Sequence, residues 1–278
     1  MELNWLQSLI MGLFSGLTDI LPVSSQAHQA LLSRFFGEPE LSPILRLVIH
    51  GTILLTLLFA CWGQLGRIRR QLRLLRQPRR RRSRMLDMAS VMDAKILRTA
   101  AWPVLAAMLL YGVTSGFGGN LLWIAAASLA NAVILYLPGV FPTANKDSRL
   151  VTPAESLQMG LGAGAAVLPG ISSVGASYSM GILHGVDRGY MIHLALMMHM
   201  MVTIGMITYD VLDLIALGSV AFTGGTVMCC VLAAGAAAAG TVAGIRILRT
   251  VAGQKGLSGF SFYSFGLALF AFILYLVV

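Results

Sequence analysis

Four polar residues close to the N-terminus have types and spacings that could do chemistry. The segment 16–32 reads GLTDILPVSSQAHQALL, and its polar members include Asp19, Ser24, Ser25 and His28. Ser25 and His28 are three residues apart, so a helix places their side chains on one face. A hydroxyl and an imidazole within hydrogen-bond reach can act as nucleophile and general base. We therefore interpret Ser25, His28 and Asp19 as a candidate catalytic set.

A second segment repeats the break that interrupts the first one. LPGISS at 168–173 resembles LPVSS at 21–25, and the breaks lie near the middle of two apolar stretches, 154–185 and 5–36. Each half of such a stretch has about 14 residues, which is too few to cross a bilayer. Both stretches are therefore predicted to be re-entrant helical hairpins, with their broken backbone surrounded by protein or water.

The two breaks also predict an anion site. Serine is a natural N-cap residue, and a helix that begins after a break points its free N–H groups and positive dipole end at the tip. Phosphate is the ligand we expect between two such helix starts. Serines also mediate ordinary helix packing, but four hydroxyls are candidates for phosphate binding: those of Ser24, Ser172, Ser173 and Ser177.

The composition places these segments in a membrane. The chain is 57% hydrophobic and 11% charged, whereas soluble domains have about 25% charged residues. Long apolar runs without alternation predict an all-α integral membrane protein with a single domain, 1–278, and exclude a barrel. Six transmembrane helices are predicted, at 44–63, 98–117, 120–140, 190–212, 218–244 and 257–278. Three of them separate the hairpins, so the hairpins should enter from opposite sides as an inverted repeat.

Positive charge is concentrated in one part of the sequence. The formal net charge is +9, and ten arginines lie between Arg67 and Arg84. A basic run can bind nucleic acid, but this run directly follows an apolar segment, which favours a role in membrane topology. Short loops rich in Lys and Arg stay in the cytoplasm. We therefore predict a basic cytoplasmic loop at 64–97 that touches anionic headgroups, and no nucleic-acid partner.

Other titratable residues carry weaker expectations. His193 and His199 lie six apart in a methionine-rich segment, HLALMMHMMV, and are predicted to pack, with His193 as the one site candidate among them. Asp210 and Asp213 are predicted to be interfacial. Arg188 could anchor a helix end at the interface or contact a phosphate.

The two breaks and their flanks resemble the undecaprenyl-diphosphate phosphatase family, also called the bacitracin-resistance family. GLTDILPVSSQAH is similar to the family signature EGLTEFLPVSSTGH, and LPGISSVGAS is similar to PGFSRSGAT. HGVDR at 184–188 is similar to MGVSR. The resemblance covers essentially the whole chain.

The resemblance implies a protein of the bacterial inner membrane that handles a polyprenyl lipid carrier. The family removes one phosphate from undecaprenyl diphosphate at the periplasmic side, which recycles the carrier for peptidoglycan and other envelope polymers. Ser25 and His28 would be the nucleophile and the general base. A divalent cation, Mg²⁺ or Ca²⁺, would take part, with Asp19 as its carboxylate ligand. The sequence leaves open whether the protein forms a homodimer.

Three charged residues of the family pattern are replaced in this chain. Ser15 stands in place of a glutamate, Ser173 in place of an arginine, and Ser264 in place of an arginine near the C-terminus. Because diphosphate hydrolysis needs charge compensation, we expect binding of a polyprenyl (di)phosphate with weak or lost hydrolysis. Two alternatives stay open: an active phosphatase that uses the catalytic set, and a polyprenyl-phosphate flippase or other transporter.

Overall fold

The computed structural model describes residues 4–37, 41–77, 86–141, 145–218, 223–254 and 256–277. In chain order its α-helices are α1 (Trp5–Ile20), α2 (Ser25–Phe35), α3 (Pro43–Ala60), α4 (Trp62–Leu75), α5 (Met88–Thr114), α6 (Leu121–Val140), α7 (Pro153–Gly164), α8 (Ser173–Leu183), α9 (Arg188–Ala216), α10 (Gly224–Gln254) and α11 (Phe260–Val277). Short 3₁₀ turns cover Ser115–Gly119, Ser148–Leu150 and Ala165–Val167. Within the described ranges the one β-type contact is an isolated bridge between Lys146 and Val186, so the predicted all-α class is confirmed.

Six of these helices are long and apolar enough to cross a membrane: α3, α5, α6, α9, α10 and α11. Their number confirms the six predicted transmembrane helices and a multi-pass membrane protein. Large apolar side chains cover the outside of the bundle, and Phe262 of α11 is 75% exposed. In an apolar 18-residue stretch of α9, by contrast, 67% of the residues are buried within the protein, against 22% in the corresponding stretch of α11. α9 is therefore the central helix, and α11 lies at the lipid-facing periphery.

The segment 64–97, predicted as a loop, is largely helical. α4 continues from Trp62 to Leu75 and buries Ile68 and Gln71 on one face, and α5 already begins at Met88. Arg and Leu are both good helix formers, so the arginines do not interrupt the helix. Residues 78–85, which include the second half of the arginine run, lie outside the described residues.

Two pairs of short helices stand apart from the six long ones. α1 and α2 have 16 and 11 residues, and α7 and α8 have 12 and 11, all fewer than the roughly 20 that cross a bilayer. α1 ends before Pro22, and α7 ends before a Pro169–Gly170 turn in which Gly170 has a φ of 122°. Proline cannot continue a helix hydrogen-bond ladder, and glycine accepts positive φ. The predicted breaks are therefore present, and re-entry from a membrane face stays a prediction.

Close glycine contacts join each short pair to a long helix. A Cβ on Gly12 of α1 would overlap the carbonyl oxygen of Ala233 in α10, and a Cβ on Gly160 of α7 would overlap that of Ala100 in α5. Small residues allow such close backbone approach between membrane helices. α1 on α10 and α7 on α5 are equivalent contacts if the two halves of the chain are related as repeats. The packing thus agrees with the predicted repeat.

The ends of the two helix pairs that lie away from the breaks face opposite ends of the bundle. α2 ends beside the turn that follows α5, where Arg34 donates to the carbonyl of Gly119. The chain that follows α8 lies instead beside the beginning of α5, because the Tyr190 hydroxyl donates to Asp93. The tips of the two pairs therefore approach each other from opposite ends.

Candidate functional site

The tips of the two helix pairs meet and exchange hydrogen bonds. Ser24, the N-cap of α2, accepts a bond from the Gly170 N–H at 2.9 Å. Ser172, the N-cap of α8, donates its hydroxyl to the Leu21 carbonyl at 3.3 Å. Each capping serine thus satisfies its own helix start and also bonds to the opposite tip. The two breaks therefore lie against each other, as expected if both helix starts face one site.

Asn131 of α6 holds both tips and was not identified from the sequence. Its side-chain N–H₂ donates to the Pro22 carbonyl at 3.2 Å and to the Ser264 hydroxyl at 3.0 Å, and its oxygen accepts from the Ser172 N–H at 3.0 Å. Asn131 is fully buried, and a buried amide is costly unless it is hydrogen-bonded. A polar residue inside the apolar segment 120–140 was the available signal.

The candidate nucleophile bonds to an acid rather than to a histidine of its own helix. Ser25 donates its hydroxyl to Asp19 Oδ1 at 2.5 Å, across the break between α1 and α2. His199 of α9 lies against the other oxygen, with 2.8 Å between Nε2 and Asp19 Oδ2. All three side chains are buried. The structure therefore forms a chain of contacts in the order Ser25, Asp19, His199.

His199 was predicted only to pack; it is buried, but its ring also contacts Asp19. His193, the favoured histidine, lies six residues away, which is about 9 Å along a helix and on a different face. It lines a separate cavity of about 600 Å³ near Asp87 and Tyr190. Sequence spacing alone does not show which face of α9 meets the hairpin tips. The signal for His199 was its ionisable ring inside a long apolar helix, which is functional by default.

His28 does not pair with Ser25 in this structure. Its Nδ1 lies 2.6 Å from the Ser24 carbonyl and its Nε2 lies 2.7 Å from the Tyr263 hydroxyl. The two rings also stack, with centroids 5.7 Å apart. Since the carbonyl can only accept, Nδ1 carries a proton and a neutral ring accepts the Tyr263 hydroxyl at Nε2. The helical spacing placed Ser25 and His28 correctly on α2, but contacts from α11 fix the imidazole elsewhere.

Ser173 and Ser177, two of the four serines proposed as phosphate ligands, differ in their surroundings. Ser173 has a buried hydroxyl without a hydrogen-bond partner in the described part of the chain, and it lines a small cavity with Asp19, Ser25 and Ser172. An unpaired buried hydroxyl is free to meet a ligand. The Ser177 hydroxyl instead donates to its own helix, to the Ser173 carbonyl at 2.7 Å. Ser177 is also not among the described residues that line the cavity, so its role as a phosphate ligand stays a prediction.

Arg188 also lies away from the site. It is the first residue of α9, eleven residues before His199, which corresponds to about 16 Å along the helix axis. Its guanidinium lies against Gly256. The structure therefore agrees with the reading of Arg188 as a helix-end residue and does not bring it to the hairpin tips.

The cavity at the hairpin tips is small and holds little charge. Its volume is about 10 Å³, which is room for about one water molecule. Apolar side chains of Val23, Ile171 and Met206 close it beside Asp19 and His199. Among the described residues, neither lysine nor arginine lines it. A phosphate therefore reaches Ser25 only after the tips separate.

The donor set of the site does not match a metal held by the protein alone. In the described ranges no group of three or more His, Cys, Asp or Glu side chains converges. Asp19 is the one carboxylate among the described residues lining the cavity, and its two oxygens already contact Ser25 and His199. Mg²⁺ and Ca²⁺ require oxygen ligands. A single occupied carboxylate among hydroxyls is too few.

A second ionic network lies on the same central helix. Asp210 is fully buried and accepts from Arg46 Nε at 2.5 Å and from His50 Nδ1 at 2.6 Å. Asp213 also pairs with Arg46, and its side chain is 51% exposed. Asp210, predicted to be interfacial, is buried within the protein, where Arg46 and His50 of α3 bond to its two oxygens.

Comparisons with known proteins show which family this sequence matches. The family described as bacitracin resistance protein BacA matches residues 8–270. The undecaprenyl-diphosphatase of Bacteroides thetaiotaomicron is 25% identical over 197 residues, covering 70% of this chain and 71% of the relative. That of Parabacteroides distasonis is 26% identical over 214 residues, covering 77% of each chain. Undecaprenyl-diphosphatase 1 of Burkholderia thailandensis is 29% identical over 197 residues, covering 67% of each.

The matched region contains both hairpin breaks and every residue of the site described above. It runs through almost the full length of the sequence, as a shared fold requires. The chain belongs to the bacitracin resistance protein BacA family.

Proposed function

We propose that this protein binds the phosphate headgroup of a polyprenyl (di)phosphate in the bacterial inner membrane and hydrolyses the diphosphate slowly. The relatives named undecaprenyl-diphosphatase support the substrate class. The observation that carries the chemistry is the 2.5 Å bond from the Ser25 hydroxyl to Asp19. It places a nucleophile beside a base at two meeting helix N-termini, where an anion is favoured.

In the proposed reaction Ser25 Oγ attacks the terminal phosphorus and Asp19 takes the hydroxyl proton. The phosphoanhydride bond breaks, and polyprenyl monophosphate leaves with the proton returned by Asp19. Asp19 then takes a proton from a water molecule whose oxygen attacks the phosphorus, the bond from phosphorus to Ser25 Oγ breaks, and Asp19 returns the proton to Ser25 Oγ as inorganic phosphate leaves. His199 positions Asp19 by its contact with Oδ2 at 2.8 Å and touches no substrate atom in this scheme.

The expected slowness follows from the charge around the site. Preorganised donors and cations stabilise the charge of a transition state, and removing one typically costs about 100- to 1000-fold in rate. Ser173 occupies the position of a family arginine, and the described lining of the cavity contains no cationic Lys or Arg side chain. Helix N–H groups and serine hydroxyls remain, and they suffice to bind a phosphate.

We also propose that the hairpin formed by α1 and α2 opens toward the periplasm. α4, with its arginines, follows α3 at the end of the bundle where α5 begins, and short basic segments stay in the cytoplasm. α2 ends at the opposite end of the bundle, beside Gly119. A headgroup approaching along α2 would therefore come from the outer leaflet.

Translocation of the lipid headgroup is a second candidate function. Two cavities, of about 290 and 600 Å³, lie at opposite ends of the bundle, with the closed site between them. Paired interrupted helices around a central site are typical of transporters with inverted repeats. Such a protein would open its tips alternately to either side.

Parallel binding and turnover measurements test the proposal. Purified protein in detergent would be titrated with C55 monophosphate and C55 diphosphate, and phosphate release would be followed with and without Mg²⁺ or Ca²⁺. We expect saturable binding of both lipids and slow release of phosphate from the diphosphate. Binding without any release, combined with movement of a labelled lipid across liposomes, would favour translocation. Absence of binding to either lipid would contradict both candidates.

A further inference from the structure

A larger cavity lies directly beside the closed site. It has a volume of about 290 Å³, and Gln26, the neighbour of Ser25, lines both cavities. Pockets for small ligands usually have about 300 to 1,000 Å³, whereas the central cavity of about 10 Å³ admits a single water. A phosphate headgroup near Ser25 therefore has room in the larger cavity before the tips separate.

Most of the polar groups in this cavity are neutral hydrogen-bonding groups: Gln26, Gln29, Ser33 and Tyr111. In the described part of the chain two side chains of the lining are charged, Arg46 and Asp213. Arg46 is thus the cationic group among the described residues of the cavity, and it comes from α3 rather than from either hairpin.

The two acidic partners of Arg46 differ in how firmly they are held. Asp210 is fully buried and is fixed between Arg46 and His50 by bonds of 2.5 and 2.6 Å. Asp213 has a side chain that is 51% exposed, so water can solvate it when it separates from Arg46. Exposed ion pairs contribute little to stability, whereas a buried charge stripped of its partner is costly.

We propose that Arg46 is the phosphate anchor of this protein and that the arriving headgroup replaces Asp213 at its guanidinium. This inference rests on the proposed function, for which it names the charged ligand. A guanidinium has five N–H donors and binds phosphate through two parallel bonds. Asp210 keeps the guanidinium oriented during the exchange. Arg46 would then hold the headgroup in the larger cavity, outside the closed cavity whose described lining contains neither Lys nor Arg.

Phosphate binding in matched variants tests the anchor. Isothermal titration of the purified full-length protein would use farnesyl monophosphate as the lipid headgroup and inorganic phosphate as the free ion. Arg46→Gln should weaken binding about 10- to 100-fold, the loss expected for one charge-assisted bond. The affinity of Arg46→Lys should lie between those of wild type and Arg46→Gln, because an ammonium is a point charge without the planar fork of donors that a guanidinium has. Asp213→Asn should tighten binding several-fold, because it removes the competitor.

Arg98→Gln is the matched control, since Arg98 is exposed on α5, lies thirteen residues or about 20 Å along the helix before the cavity-lining Tyr111, and does not line the cavity. It should change affinity by less than about twofold, the effect of a distant exposed charge. If either probe binds more weakly to Arg46→Gln than to wild type, Arg46 is supported as the anchor. The probe that binds wild type more tightly identifies whether a lipid headgroup or free phosphate is the occupant.

Folding must be separated from binding, because Arg46→Gln leaves Asp210 buried with one partner fewer. The double variant Arg46→Gln/Asp210→Asn removes both charges, and its thermal midpoint should lie above that of Arg46→Gln. Wild-type affinity in both Arg46→Gln variants, or weaker binding in Asp213→Asn, would overturn the inference and leave the proposed function standing. If the wild-type protein binds neither probe nor C55 diphosphate, the proposed function fails, and the inference with it.

Discussion

Ser25 and Asp19 face each other across the break between α1 and α2, with 2.5 Å between Oγ and Oδ1. The break therefore does more than interrupt a helix, because it brings a residue at the end of one helix onto the first residue of the next. The same hairpin supplies both the candidate nucleophile and its base. Their geometry depends on few other elements, chiefly α9 through His199.

His199 should act by positioning Asp19, and His193 provides a control of the same type on the same helix. We expect His199→Ala to lower kcat about 10- to 100-fold with KM little changed, because a misplaced base costs transition-state stabilisation. His199→Gln can still donate one N–H to Asp19 and should recover part of the loss. His193→Ala should stay within about twofold, because a side chain outside the site leaves the reacting groups in place. Equal losses in both alanine variants would contradict the positioning role.

His28 should matter for stability more than for proton transfer. Its ring nitrogens are engaged by Ser24 and Tyr263, so Tyr263→Phe removes one hydrogen bond, worth about 1 kcal/mol. We expect a slightly lower thermal midpoint and almost unchanged phosphate release. The same assay on His28→Ala should show a loss of only a few fold. A loss as complete as that of Ser25→Ala would show that His28 is the base after all.

The contact between α1 and α10 should be intolerant of added bulk. A Cβ on Gly16 would overlap the carbonyl oxygen of Ala237, whereas a Cβ on Gly235 of α10 would meet open space. Gly16→Ala should therefore destabilise the protein by about 1–3 kcal/mol, as overpacking does. Gly235→Ala should be neutral or slightly stabilising. Thermal unfolding in detergent compares the two, and similar midpoints would argue against the close packing.

Restoring the missing charges should raise turnover. Ser15 accepts a bond from Gln29 at 3.1 Å and precedes Asp19 by one helical turn, while Ser173 lines the site. Ser15→Glu alone adds a second acid near Asp19, which like-charge repulsion disfavours. Combined with Ser173→Arg it should increase phosphate release by about 100-fold, and the pair should be non-additive. Additive or absent effects, in proteins with normal thermal midpoints, would speak against a shared phosphate.

Much of the architecture was predictable from the sequence because length and hydropathy are local properties. Six apolar segments and two segments broken near LPVSS and LPGISS suffice to expect six spanning helices and two short pairs. The boundaries were less accurate at α4, where arginines continue a helix that hydropathy alone assigns to a loop. The expectation of one phosphate site between the two helix starts followed from the likeness of the two breaks.

The partners within the site were not predictable in the same way. Ser25, Asp19 and Ser24 belong to one continuous motif, so their proximity was expected. His199 and Tyr263 reach the motif from helices far away in the sequence, and their faces depend on how α9 and α11 pack. Spacing along α2 therefore suggested that Ser25 pairs with His28. In the structure Ser25 bonds to Asp19 instead, and Ser24 and Tyr263 hold the His28 ring.

The central claim is that Ser25 and Asp19 form a catalytic site that works but lacks the positive charge needed for fast hydrolysis. The most direct measurement is the rate of phosphate release from C55 diphosphate by wild type, Ser25→Ala and Asp19→Asn, beside the Bacteroides thetaiotaomicron relative in one assay. We predict that wild type is about 100-fold slower than the relative and that both substitutions abolish release while lipid binding persists. A wild-type rate equal to that of the relative, or release that survives in Ser25→Ala, would contradict the account.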